Sequence, residues 1–177
     1  GQQRQCKRHE MRIALPPAHL AGIEPEDVLG QVGACQQRER GHRSTGRGVA
    51  FSKLGQGDPA GAEFDDLVAA KEHLVAMGLA DSSKVGITGG SYGGYATAWG
   101  ATAQSQHFAA GVMFVGLSDL ISKFGTTDIP NEMYLVHYRQ WPWQQWQKLL
   151  ERSPIFHAEK HRTPLLIMHG EEDTRVA

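Results

Sequence analysis

A chain of 177 residues with a formal net charge of −1, 40% hydrophobic and 21% charged residues has the balance of one ordinary globular domain. That charge gives no electrostatic ground for a nucleic-acid or anionic-membrane partner, and no run of about 18 apolar residues is present to cross a bilayer. Two cysteines, Cys6 and Cys35, make neither a disulfide framework nor a C-x-x-C metal pair.

Residues 1–43 are rich in Gln and Arg, and their apolar residues keep neither a helical nor a strand period. Pro16, Pro17 and Pro25 interrupt the short apolar runs, and only Glu24 to Val32 could form a short helix. This leader is expected to be disordered or foreign to the rest. From Ser44 the texture changes, with loops at Ser44 to Gly48 and Gly55 to Pro59. Phe64 to Met77 then carries apolar residues at helical spacing, with Asp65 and Asp66 in the opening turn and Gly78 as a stop.

Three short apolar runs without alternation follow. They are expected as parallel strands at 84–88, 110–115 and 164–168, side by side in that order and buried on both faces. Helix-compatible residues run from Ala96 to Ala103, and Ser118 to Phe124 leads into an aromatic-rich connection. There Trp143, Trp146, Leu149 and Leu150 recur at helical spacing, which is read as packing. Helices alternating with strands are the grammar of a parallel α/β sheet with right-handed crossovers.

Between the first strand and its helix stands Gly89-x-Ser91-x-Gly93, the pattern of a nucleophile elbow. A sharp strand-to-helix turn holds the serine in a strained conformation with its hydroxyl clear of the sheet. Glycine at 89 and 93 is expected because side chains there would collide. The helix behind it presents free N–H groups and its positive end to a developing oxyanion. The same stretch matches neither a phosphate-binding P-loop nor the dinucleotide fingerprint. In parallel sheets reactive groups sit past the carboxyl ends of the strands, and both Ser91 and Asp173 take such positions. His161, His169 and Glu171 have metal-ligating side chains but no recognised ligand spacing.

Three motifs, Gly89-Gly90-Ser91-Tyr92-Gly93-Gly94-Tyr95, Ser153-Pro154-Ile155 and His169-Gly170-Glu171-Glu172-Asp173-Thr174-Arg175-Val176, resemble the prolyl oligopeptidase family of serine peptidases. The acylaminoacyl-peptidase and dipeptidyl-peptidase-like branch is the most similar. The resemblance runs from about Ser44 to Ala177. It implies a partial α/β-hydrolase fold, truncated at both ends, with 1–43 as an unassigned leader and 44–177 as part of a catalytic domain. It further implies that Ser91 attacks a peptide carbonyl and that Asp173 orients a catalytic histidine. The Tyr92 backbone N–H would be an oxyanion donor, and Arg175 would hydrogen-bond the substrate backbone. The expected partner is a peptide substrate, with no cofactor and no metal.

Two departures from the family pattern shape the expectation. The hydrolase order is Ser, Asp, His, yet all nine histidines precede Asp173. The tyrosine that would supply a second oxyanion donor, read back from Ser44, is replaced by Gly41. The chain is therefore expected to lack its general base and to be inactive alone. An esterase on the same fold, and a non-catalytic module of the same architecture used for binding, are the alternatives left open.

Overall fold

The computed structural model describes residues 49–177; the leader, 1–43, and Gly41 lie outside the described residues. A helical turn, α1 (Val49–Ser52), leads through a loop to α2 (Ala62–Ala76). This helix ends where the sequence placed its stop. Gly78 sits at φ +71°, its N–H donates to the Val75 carbonyl at 2.9 Å, and the Leu79 N–H donates to the Leu74 carbonyl at 3.0 Å. That is the pairing of a Schellman cap, which satisfies the carbonyls a helix end leaves over and calls for a left-handed residue just past the cap.

Three parallel strands, β1 (Ile87–Gly90), β2 (Gly111–Phe114) and β3 (Leu165–Met168), lie side by side in that order. Ile87 stands opposite Gly111, and Gly111 opposite Leu165. The order and direction are those read from the sequence. The first strand starts later than expected because Asp81 organises a turn: its carboxylate accepts from the Ser83 N–H at 2.9 Å and the Ser83 hydroxyl at 2.7 Å, and its carbonyl accepts from the Lys84 N–H at 3.0 Å.

Helix α3 (Tyr92–Ala101) follows β1 and packs on β1 and β2, with every residue from Gly94 to Ala101 buried. A helix buried on all sides needs apolar or small residues all round, which is what Tyr95, Ala96, Ala98, Trp99 and Gly100 supply. Its far side meets α2, where the Phe64 and Tyr95 rings pack edge to face at 5.0 Å. The main core thus lies around α3, joined by Leu117, Leu120, Met133, Leu149 and Val176.

The connection to β3 carries α4 (Leu120–Thr126), α5 (Pro130–Glu132) running into a π-helical turn over Met133–Tyr138, α6 (Pro142–Glu151), and a 3₁₀ segment, Pro154–Lys160. Ser153 is fully buried and serves as a tie between two helices. Its hydroxyl donates to the Leu149 carbonyl at 2.7 Å and accepts from the Leu120 N–H at 3.0 Å, joining the end of α6 to the start of α4.

Two expectations are corrected. The strands are not buried on both faces: α3 packs chiefly on β1 and β2. Ile167 of β3, on the same face as buried Met113, is 60% exposed. Trp143 and Trp146, read as packing residues, are exposed, and only Leu149 of α6 is buried. Trp143 instead stacks on Trp141, with ring centroids 5.2 Å apart and planes 7° from parallel.

A Cβ at Gly78 would touch nothing within 4 Å, so its φ alone makes glycine necessary. Gly78→Ala is expected to lower stability by about 1 kcal/mol, seen as a lower urea midpoint at unchanged slope.

Candidate active site

β1 ends at Gly90, α3 begins at Tyr92, and Ser91 between them has φ 57° and ψ −116°. A non-glycine residue held there costs about 1–3 kcal/mol, so its surroundings must fix it. The Ser91 N–H donates to the Phe114 carbonyl at the end of β2 at 3.1 Å, and its carbonyl accepts from the Tyr95 N–H at 2.9 Å. Ser91 itself is exposed.

The glycines around it are not equivalent. A Cβ on Gly89 would stand 2.6 Å from the Gly93 carbonyl carbon, and one on Gly94 would stand 2.4 Å from the Phe114 carbonyl oxygen. A Cβ on Gly93 would meet nothing within 4 Å. The expectation that Gly89 and Gly93 are both needed for side-chain clearance is therefore half right. Gly89 makes room for the backbone of Gly93, while it is Gly94 that lets α3 reach the sheet.

Tyr92, the first residue of α3, has a backbone N–H among those a helix start leaves without an intrahelical partner. Its ring is packed by three others: stacked on His137 at 5.1 Å and 5°, and edge-on to Phe64 at 5.8 Å and Tyr95 at 5.4 Å. Its hydroxyl donates to the buried carboxylate of Glu63, which also accepts from the Ala60 N–H at 3.1 Å.

Ser91, Tyr92 and Arg175 share one cleft of about 290 Å³. Pro59, Leu117, Leu120, Ile129, Met133 and Val176 give it apolar walls, and Lys123, Glu132 and His137 add charge or polarity. His137 Nε2 lies 3.6 Å from Glu132 Oε1. Lys123 is buried, donating to Thr127 Oγ1 at 2.9 Å and to the Arg175 carbonyl at 2.7 Å. Burial pushes its amine below the usual lysine value, against the pull of Glu132 and Asp128.

Beyond β3, Asp173 closes a tight turn, its Oδ1 accepting from the Val176 N–H at 2.8 Å and the Arg175 N–H at 2.9 Å. These bonds, that of Val176 foremost, hold its carboxyl below the ordinary carboxylate value. Their stabilising contribution is present above the unfolded carboxylate pKa and is lost as pH falls through the lowered one. The turn is anchored because Val176 is buried in the core. Arg175 makes a two-pronged pair with Asp128, Nε to Oδ1 at 3.0 Å and Nη2 to Oδ2 at 3.1 Å. That pairing holds the Asp128 carboxyl low.

Of the residues singled out in the sequence, then, Ser91, Tyr92 and Arg175 meet at the cleft. Asp173 lies at the same end of the sheet but is not among the residues lining it. His169 Nε2 sits 3.8 Å from Asp173 Oδ2 and is hydrogen-bonded to the Val176 carbonyl. No group of three or more His, Cys, Asp or Glu side chains is placed to hold a metal among the described residues, so His161, His169 and Glu171 do not converge. Glu63, Lys123, Asp128 and His137 had no signal in the sequence. Each has at least one partner far along the chain, and no motif marks them.

The model of the prolyl oligopeptidase family matches residues 40–177. The chain is 38% identical over 140 residues to dipeptidyl aminopeptidase BIII of Pseudoxanthomonas mexicana, covering 75% of this chain and 20% of that protein. It is 36% identical over 136 residues to the uncharacterized peptidase YuxL of Bacillus subtilis, with the same coverage, 75% and 20%. Among solved structures, the Pyrococcus horikoshii acylaminoacyl peptidase superposes with a TM-score of 0.69 at 30% identity, over 77% of this chain and 22% of that one. A puromycin-hydrolyzing peptidase of Mycobacterium tuberculosis gives 0.70 at 30% identity, over 77% and 20%. The chain spans about a fifth of the length of the curated relatives it matches.

The unequal glycines give a paired test. Gly94→Ala forces a methyl into the β2 carbonyl and is expected to destabilise by about 1–3 kcal/mol or more. Gly93→Ala, with open space and a helical backbone, is expected to be neutral or stabilising by up to about 1 kcal/mol. Urea denaturation of the two variants side by side reads the difference.

Proposed function

The chain belongs to the prolyl oligopeptidase family, and we propose that it carries the nucleophile and the acid of a serine peptidase's Ser-Asp-His triad. Ser91 Oγ attacks the carbonyl carbon of a peptide bond as a base takes its proton. The oxyanion is received by the Tyr92 N–H at the head of α3. The amine leaves with that proton, and water then releases the acyl group from Ser91. Arg175, with one edge of its guanidinium bound to Asp128, keeps its Nη1 end for a carbonyl of the substrate backbone. Asp173 takes the role of orienting the imidazole.

The observation that carries this reading is the left-handed Ser91, exposed between a parallel strand and a buried helix, on a cleft it shares with Arg175. A peptide as substrate is supported by an acylaminoacyl peptidase, 30% identical, whose structure was solved in complex with Z-Gly-Gly-Phe-chloromethyl ketone.

In this reading the base is not one of the histidines present. In the fold's chain order it follows the acid, and all nine histidines precede Asp173. His137 reaches the cleft but is stacked on Tyr92, and His157 Nε2 is hydrogen-bonded to the Glu151 carbonyl at 2.8 Å. Without one triad member, turnover falls by roughly four to six orders of magnitude.

The test has two arms. A fluorophosphonate is expected to modify Ser91 in the complete protein that carries this sequence, and Ser91→Ala to abolish the adduct, as read by mass spectrometry. An adduct elsewhere would remove Ser91 from the role. The 177-residue chain alone is expected to hydrolyse aminoacyl p-nitroanilides and p-nitrophenyl esters no faster than its Ser91→Ala variant. Ser91-dependent turnover near an ordinary ~10 s⁻¹ would mean that a residue already present is the base.

A further inference from the structure

One buried acid near the cleft has no part in the chemistry above. Glu63 stands in the first turn of α2, only 8% exposed, among Phe64, Tyr92 and Tyr95. A carboxylate removed from water is costly unless hydrogen bonds satisfy it. This one accepts from the Ala60 N–H at 3.1 Å and from the Tyr92 hydroxyl. The first bond fixes a strained point, since Ala60 has φ 55°. The second reaches across 29 residues to the side chain next to Ser91.

The backbone of Tyr92 and its side chain play different parts. The backbone N–H stands beside Ser91 at the head of α3, while the ring forms part of the cleft and lies flat on His137, 5.1 Å away. Moving the ring would uncover the Glu63 charge, rotate the first residue of α3, and change the shape of the cleft. Core packing alone does not need an acid at position 63, because an apolar side chain could fill the same space without a desolvation cost. A carboxylate there gives what packing cannot, a directional hold on the phenol.

We infer that Glu63 is a positioning residue for the reactive centre: its hydrogen bond to the Tyr92 hydroxyl sets the pose of Tyr92, and through it the oxyanion-side N–H and the Tyr92–His137 wall of the cleft. Glu63 does not line the cleft, so it acts through Tyr92 and not on the substrate. The catalytic half of the inference rests on the reading of Ser91 as nucleophile; the conformational half does not.

The experiment separates the two. In the full 177-residue chain, the ring protons of His137, assigned by their loss in His137→Gln, should be displaced from their free-imidazole positions by the ring current of the stacked Tyr92. Glu63→Ala and Tyr92→Phe should both remove that displacement, and Glu63→Gln, whose amide oxygen can still accept from both donors, should keep it. Tyr92→Phe keeps the ring and takes only the hydroxyl, so it decides the matter even if Glu63→Ala does not fold. In the complete protein, phosphonylation of Ser91 should slow by about ten- to a hundredfold in Glu63→Ala and Tyr92→Phe and return to within about threefold of wild type in Glu63→Gln. An unmoved His137 resonance in folded Tyr92→Phe overturns the inference. A displaced resonance with an undiminished Ser91 rate confines Glu63 to the shape of the cleft and overturns its part in reactivity. A wild-type Ser91 that does not react at all refutes the nucleophile reading, while the His137 signal still decides the pose of Tyr92.

Discussion

The geometry around Ser91 depends on how near one helix comes to the ends of two strands. The first turn of α3 lies so close that the Gly93 backbone occupies the space a side chain on Gly89 would need, and β2 fills the space beside Gly94. Such an approach leaves Ser91 no ordinary conformation. It is turned to positive φ and kept there by bonds to β2 and to its own helix. The local strain is held by packing, because α3 from Gly94 onward is buried, with β1 and β2 against it and Phe64 of α2 edge-on to its Tyr95. Loosening that sandwich would relax the serine before it unfolded the chain.

A second arrangement holds the loop after β3. Val176 enters the core, the Asp173 carboxylate binds the amides beside it, and the Arg175 carbonyl receives Lys123 and Thr127 from α4 and its end. The Arg175 side chain is turned outward to Asp128, whose own N–H donates to the Thr174 carbonyl at 3.0 Å. Charges are thus distributed by burial. The buried Lys123 bonds to neutral oxygens and has its charge balanced by nearby acids, whereas the exposed Arg175 has a partner of opposite sign. Exposed pairs of that kind add little to stability; this one fixes the guanidinium, with both Nε and Nη2 held by Asp128.

Much of this was legible in the residues. Three runs without alternation gave the strands, their order and their direction, and Gly89-x-Ser91-x-Gly93 gave the turn. The strand ends were less legible because the Asp81 turn competes with extension for the residues before Ile87. The motif also could not say which glycine does what, as Gly93 and Gly94 differ only in what lies opposite them. Trp143 and Trp146 have the spacing of a buried stripe and are exposed, since spacing gives a helix a face without telling what that face meets. Glu63, Lys123 and Asp128 were invisible for one reason: each is defined by a partner 29 to 52 residues away, and no local pattern carries that information.

The bond from the Ser91 N–H to the Phe114 carbonyl has a consequence in time. The elbow is a five-residue motif, yet the strand that holds it open lies 23 residues further on (114 − 91). β2 in turn pairs with β3 across 54 residues (165 − 111). Closing such loops costs entropy before any contact repays it, and parallel pairing is slow for that reason. The serine therefore has its positive-φ backbone held only after β2 has docked. A chain leaving the ribosome passes through a stage in which Ser91 is already synthesised and α3 can already coil, while the backbone at the turn is still free to relax.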